Sequence, residues 1–363
     1  MNSGLPPNDS LNTPSSPETA DAGPATESSA ETGPYLATAI DEPVSTPLSS
    51  ERLRPNLVVR QHLVSSNKSW WLPAFLLLAT CISTFFAGAM SWEPQALFGL
   101  FQSGATEAVM MLIRQSILRH AGQGGMYMLC VIAILFAHEM GHYVATKIYR
   151  IPSTLPFFIP FPIAPIGTMG AVIAMKGQQA NRREIFDIGI AGPIAGLVLA
   201  IPIVWSGVAQ LDLSTPGFGT YRYDLPLMVR WMYAMIHPNS PAVTEICASQ
   251  VNAMFMAGWV GLLITGLNML PLSQLDGGHI TYTLFGRHSR WIARLFVGVA
   301  LAYMIYSRVF IWTLMLVLIF VIGLYHPPTS DDRVPLGKAR VVLGLLSLLI
   351  PVLCFPPRGL MPF

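Results

Sequence analysis

The sequence predicts an all-α polytopic membrane protein with about seven transmembrane helices and one small β-hairpin or re-entrant loop. Three observations carry this. Of 363 residues, 52% are hydrophobic and only 11% charged, against about 25% charged in ordinary soluble domains. Mean hydropathy is +0.51. Uncharged apolar runs long enough to span a bilayer recur along the chain, parted by stretches that hold most of the Lys and Arg. Net charge is only +2, but residues 1–50 hold seven acids and no Lys or Arg, so the rest carries about +9 (+2 minus −7). Basic residues beside apolar spans mark cytoplasmic ends rather than a nucleic-acid surface.

Residues 1–50, rich in Pro, Ser, Thr and acids, cannot bury a core and are expected to be a disordered tail. They lack the apolar core of a signal peptide and the arginines of a transit peptide. Residues 51–124 comprise a basic arm (Arg52, Arg54, Arg60, Lys68), a first span at Trp70–Met90 and a loop. Trp70 and Trp71 suit a membrane interface, and 107–118 suits an amphipathic interfacial helix. Span 2 covers about 126–148. Five prolines between 152 and 165 exclude a regular helix, and Ile166–Lys176 then reads as a short glycine-rich strand or hairpin. Span 3 (about 187–208) contains Gly192-xxx-Gly196, a spacing that predicts a close helix seam in lipid. A polar and aromatic loop at 209–247 leads to span 4 (252–285), interrupted at 267–279. Residues 286–363 hold the C-terminal spans: two short ones in 291–325 that turn at Tyr306–Arg308, and a last at 341–356. Basic loops before span 1 and after spans 2, 4 and 6 place the N-terminus in the cytoplasm and the C-terminus outside; a bacterial cytoplasmic membrane is the expected location. Cys81, Cys130, Cys247 and Cys354 form no close pair, so neither a disulfide framework nor a cysteine metal site is expected.

The chemistry concentrates in Ala137–Tyr143. His138 and His142 are four apart, which puts both imidazoles on one helix face. Two neutral imidazoles so placed can hold a zinc ion, and Glu139 beside them can take a proton from a metal-activated water. At this composition a chance match is expected roughly 0.005 times, so the motif is read as a metal site rather than as two core histidines. It lies in a run of about 24 apolar residues, roughly 36 Å of helix, enough to span a bilayer. Ionisable groups at that depth are costly and usually functional.

Two histidines leave catalytic zinc a protein ligand short. Asp276 is the one acidic residue in the apolar part of span 4, where Asn268 and Pro271 break the helix and Gly277-Gly278 follow. Its carboxylate is read as the third ligand rather than as a helix cap. His279 is read as supporting or structural, and His62, His120, His237, His288 and His326 as surface histidines.

With both segments in view, the chain resembles the site-2 protease family of intramembrane zinc metalloproteases. His138-Glu139-xx-His142 matches the family's first motif and Asn268-xx-Pro271-xxx-Leu275-Asp276-Gly277-Gly278 its second. The resemblance covers about 125–285 and implies a three-span catalytic core there. It implies that His138, His142 and Asp276 bind one Zn2+, that Glu139 is the base, and that Asn268 binds substrate in the channel. It also implies a membrane-anchored protein as substrate, cut in or near its transmembrane segment, with no nucleic-acid partner. The loops are too short for the PDZ domain of many relatives, and Gly167-Thr-Met-Gly-Ala171 is closer to the PDZ-less, cyanobacterial and plastid-type members. Independently, the Ile166–Lys176 strand could pair its edge with an unwound substrate, with Gly167 and Gly170 allowing close approach. The alternatives are a metal-ion transporter, which needs further polar ligands along a path, and an inactive scaffold, which has no use for Glu139.

Overall fold

A computed structural model describes residues 70–95, 97, 102, 104, 106–214, 216–272, 275–323 and 326–362; the tail expected at 1–50 and the basic arm at 51–69 lie outside the described residues. The first helix, α1 (Trp71–Ala89), shows which solvent the chain is built for. Thr80, Ser83, Thr84, Ala87 and Gly88 are buried, while Phe75, Leu78 and Ile82 are exposed. A helix in water turns its large apolar face inward. In lipid the tails solvate large apolar side chains, and small residues let helices approach. The Thr80 and Thr84 hydroxyls donate to the carbonyls of Leu76 and Thr80, both at 2.8 Å, which satisfies them away from water.

Helix α2 (Thr106–Ile148) has 43 residues, about 64 Å of helix against a hydrocarbon core of about 30 Å. Its backbone leaves helical geometry at His120 (φ −118°, ψ 16°). The expected interfacial segment therefore runs into the motif helix through a kink, not through a loop. α2 packs against α1 and against two later helices, α3 (Arg182–Ala209) and α5 (Ala253–Asn268).

Between α2 and α3 the prolines keep the chain extended. Strands β1 (Phe157–Pro160) and β2 (Thr168–Val172) pair antiparallel, with Phe157 opposite Val172 and Phe158 opposite Ala171. The strand expected in 166–176 thus takes its partner from the proline-rich stretch before it. Ser83 Oγ donates to the Gly167 carbonyl (2.5 Å) and the Tyr127 hydroxyl to the Ile166 carbonyl (2.7 Å), tying the hairpin to α1 and α2. Gly167 has φ +73°, and an added Cβ would lie 2.8 Å from the Ser83 carbonyl oxygen, so both conformation and space select glycine. α3 opens on a capping box: Asn181 accepts from the Arg183 and Glu184 N–H groups, and Glu184 accepts from the Asn181 N–H. Pro193 and Pro202 lie inside α3 without ending it.

The segment 209–247, expected as a loop, contains β3 (Tyr221–Asp224), α4 (Leu227–Ile236) and β4 (Glu245–Cys247). β3 is the middle of a three-stranded sheet completed by β5 (Leu360–Pro362). α5 ends at Asn268, and α6 (Asp276–Phe285) begins after the expected break. α7 (Ser289–Ser307) and α8 (Thr313–Ile322) part at Arg308, whose φ is +55°. The last apolar run is divided into α9 (Lys338–Ser347) and α10 (Ile350–Cys354).

Among the described residues, three helices, α1, α2 and α3, are long and apolar enough to cross a membrane. The seven-span count is not reached on that measure, since α5 has 16 residues and α6, α8 and α9 have 10 each. The breaks at Pro271 and Arg308 fall where the sequence places an interruption and a turn, while the one at Leu349-Ile350-Pro351 divides a run expected to be a single span. The connecting segments sort into two groups. β5 pairs with β3 and Trp312 Nε1 donates to the Pro357 carbonyl, which joins 209–247, the turn after α7 and 355–362. The Arg182 N–H donates to the Asp331 carbonyl, and the Arg183 guanidinium to the Pro335 carbonyl. Arg340 makes a two-pronged ion pair with Asp187, which also accepts from the Tyr149 hydroxyl. These bonds join the other group, 149–187 and 326–340.

Candidate functional site

His138 and His142 sit one turn apart on α2, and both are buried. Their Nε2 atoms are 3.3 Å apart. The break after α5 lets α6 begin at Asp276 beside them. Asp276 Oδ2 lies 3.2 Å from His138 Nε2, and Oδ1 lies 3.3 Å from His142 Nε2. Gly277 makes that approach possible, because a Cβ there would collide with the Met269 carbonyl and lie 2.5 Å from the Leu270 carbonyl oxygen.

The three donors fit zinc. Bonds of about 2.0–2.1 Å at tetrahedral angles put ligand atoms about 3.3 Å apart; the two Nε2 atoms are 3.3 Å apart, and each has its own Asp276 oxygen at 3.2–3.3 Å. The buried Asp276 Oδ2 has no hydrogen-bond donor of its own. His142 Nδ1 donates to the Ile188 carbonyl at 2.8 Å, so its Nε2 lone pair faces the cluster. A ligating histidine is commonly held this way. His138 Nδ1 has no partner among the described residues. This is the one group of three potential ligands among the described residues.

Glu139 is buried and opens into the same cavity, of about 150 Å³, which is walled by the cluster, Asn268 and Ala171–Ile173 of the β2 region. Asn268 Nδ2 lies 3.3 Å from His138 Nε2. The structure thus gathers His138, Glu139, His142, Asp276 and Asn268. It does not bring Gly167 or Gly170 to the cavity. Gly167 is pressed on α1, and a Cβ at Gly170 (φ +100°) would meet nothing within 4 Å. The edge that does line the cavity starts one residue later, at Ala171.

Two features escaped the sequence. Gly192 and Gly196 of α3, expected as a general helix seam, face the ligands themselves. A Cβ at Gly192 would run into the His142 ring, and one at Gly196 would lie 3.1 Å from His138 Nδ1. The glycine pair was visible; which residues it faced was not. His326, expected at the surface, is half-buried, with its Nε2 2.6 Å from Nδ1 of the buried His279, and its ring stacks on Tyr282. It follows α8 in a segment without regular structure, so no periodicity marked it.

The model of peptidase family M50 matches residues 126–307. The rice (Oryza sativa subsp. japonica) protein named "Probable zinc metalloprotease EGY1, chloroplastic" is 32% identical over 162 residues, 43% of this chain and 27% of the relative. Two Arabidopsis thaliana proteins, named probable zinc metalloproteases EGY2 and EGY1, chloroplastic, are 28% and 30% identical. Those matches cover 61% and 62% of this chain and 40% and 42% of the relatives. The chain spans less than half the length of these curated relatives. No solved structure matches it.

Proposed function

The chain belongs to peptidase family M50, the site-2 proteases, and on that premise we propose that it is an intramembrane zinc metalloprotease that hydrolyses a peptide bond in or near the transmembrane segment of a membrane-anchored protein. The observation that carries this is the convergence of His138, His142 and Asp276 beside the buried Glu139, between apolar helices. His138, His142 and Asp276 hold the zinc. When bound, zinc supplies Lewis-acid chemistry, polarising a peptide carbonyl and lowering the pKa of water. Glu139 takes the proton of the attacking water and returns it to the leaving amine. The Asn268 amide, beside His138, orients substrate in the cavity.

A substrate helix hides its carbonyls in internal hydrogen bonds and must unwind to be cut. Unwinding leaves backbone donors and acceptors that are costly to strand away from water. β2 has β1 on one edge and no partner on the other among the described residues, and Ala171–Ile173 border the cavity. That free edge accepts the unwound segment by strand addition. The metal-transport alternative finds no second ligand cluster among the described residues.

The site faces the cytoplasmic side, with the N-terminus there. This is supported by the basic residues gathered in one group of segments, among them Lys147, Arg150, Arg182, Arg183, Arg333 and Arg340. A cleavage assay in detergent with a membrane-anchored substrate, comparing wild type with Glu139→Gln, tests the proposal. Zinc-dependent cleavage lost in the variant supports it, and cleavage that persists refutes it.

A further inference from the structure

On the side of the molecule built from the α7–α8 turn and the C-terminal segment, two cavities adjoin. One, of about 300 Å³, is almost wholly apolar and is walled by Leu270, Phe296, Val299, Met315 and Val352. The other, of about 900 Å³, opens beside it and is lined by Tyr306, Arg308 and Arg358. Tyr303 borders both. The chain holds this arrangement deliberately. The Arg358 N–H donates to Asp224 Oδ2, Trp312 Nε1 donates to the Pro357 carbonyl, and Gly359 packs on the Trp312 ring.

Charge and polarity decide the occupant. Arg308 and Arg358 are exposed, and neither guanidinium has a hydrogen-bond partner among the described residues. No acidic side chain lines their cavity. The nearby Asp224 accepts from Arg230 and from the Arg358 N–H, and its charge also acts on Arg358, whereas Arg308 has no acidic neighbour in the cavity lining. The ligand they select is an anion, and a guanidinium binds phosphate with two parallel hydrogen bonds. Tyr303 and Tyr306 are residues of the membrane–water interface. Directly behind them is space that only an apolar chain can fill. It is too small for a helix 10–12 Å across.

We propose that the two cavities form one binding site for an anionic glycerophospholipid, its phosphate at Arg308 and Arg358 and an acyl chain in the apolar cavity. Two guanidiniums on one cavity wall hold an acidic headgroup by charge and paired hydrogen bonds. Leu270, in the break between α5 and α6, forms part of the chain-binding wall. A bound lipid would therefore brace the segment that carries Asp276 into the zinc cluster.

The test uses the full chain, purified in detergent and stripped of lipid. Phosphatidylglycerol, phosphatidylcholine or glycerol phosphate is added, and binding is read by native mass spectrometry and by thermal unfolding. Phosphatidylglycerol should bind and raise the unfolding temperature by several degrees, while the other two give no comparable shift. Arg308→Gln with Arg358→Gln should weaken phosphatidylglycerol roughly tenfold or more while zinc content is unchanged. Val299→Trp should block the acyl chain with the arginines intact. If the double variant misfolds, Arg308→Gln alone, at an exposed turn, should still weaken binding several-fold. Equal binding of phosphatidylcholine, an equal shift with glycerol phosphate, or undiminished binding by the arginine variants would each overturn the proposal. Zinc content and cleavage are scored separately, so failure here leaves the protease reading standing.

Discussion

Gly192→Ala adds one methyl group and should dismantle the zinc site. The Cβ would fall 2.5 Å from His142 Cε1, and closer still to Nε2 and Cδ2. Ordinary contact begins at 3.4 Å, so the ring or the helix must give by at least 0.9 Å (3.4 minus 2.5). A zinc–ligand distance tolerates about ±0.2 Å. The ring has no free direction, because its Nδ1 is bonded to the Ile188 carbonyl on the same helix that carries Gly192. Moving α3 instead also strains its contact with α2, where Gly141 already faces the Ala191 carbonyl. Overpacking of this kind costs about 1–3 kcal/mol. A misplacement of about 1 Å at a reacting group costs roughly 100-fold in rate. The assay measures zinc per chain, cleavage rate and thermal stability. The control is Gly122→Ala on α2, where a Cβ meets nothing within 4 Å. We expect Gly192→Ala to lose most of its zinc and roughly 100-fold in rate, with the control unaffected. Full zinc and wild-type cleavage in Gly192→Ala would refute the claim that α3 sets the position of His142.

Asp276→Asn should lower zinc content as well as activity, because a neutral amide is a poor zinc ligand; metal analysis showing full occupancy would remove it from the ligand set. Proline at Ala171 or Val172 deletes one N–H of the β2 edge. At least one of the two variants should cut cleavage several-fold while zinc and thermal stability hold, and normal cleavage by both would show that the edge only packs. A cysteine placed at Asp212, in a background without the four native cysteines, should react with a membrane-impermeant reagent in intact cells. Labelling only after lysis would invert the proposed orientation.

Much of the site was legible because its signals are local. His138 and His142 share a helix face by spacing alone, and Asn268 with Pro271 announced the break that frees Asp276. The apolar setting of the motif marked a membrane protein, and the three long helices agree with it. What stayed hidden depended on partners far along the chain. The Gly192–Gly196 spacing predicted close packing, yet only the fold shows that His142 and His138 fill the gap. β3 gains its second neighbour from residues 360–362, too distant for a pattern in 209–247 to reveal. Glycine at 167 and 170 permits close approach of a substrate strand, but at Gly167 what approaches is α1. Span counting failed to anticipate breaks in runs that are apolar throughout, as between α9 and α10.

The central claim is that Glu139 is the base and not a ligand, while His138, His142 and Asp276 hold the zinc. Zinc content and cleavage of purified Glu139→Gln, measured on the same sample, test it most directly. The account predicts one zinc per chain, as in wild type, with cleavage abolished. Cleavage at the wild-type rate, or loss of the zinc together with activity, would contradict it.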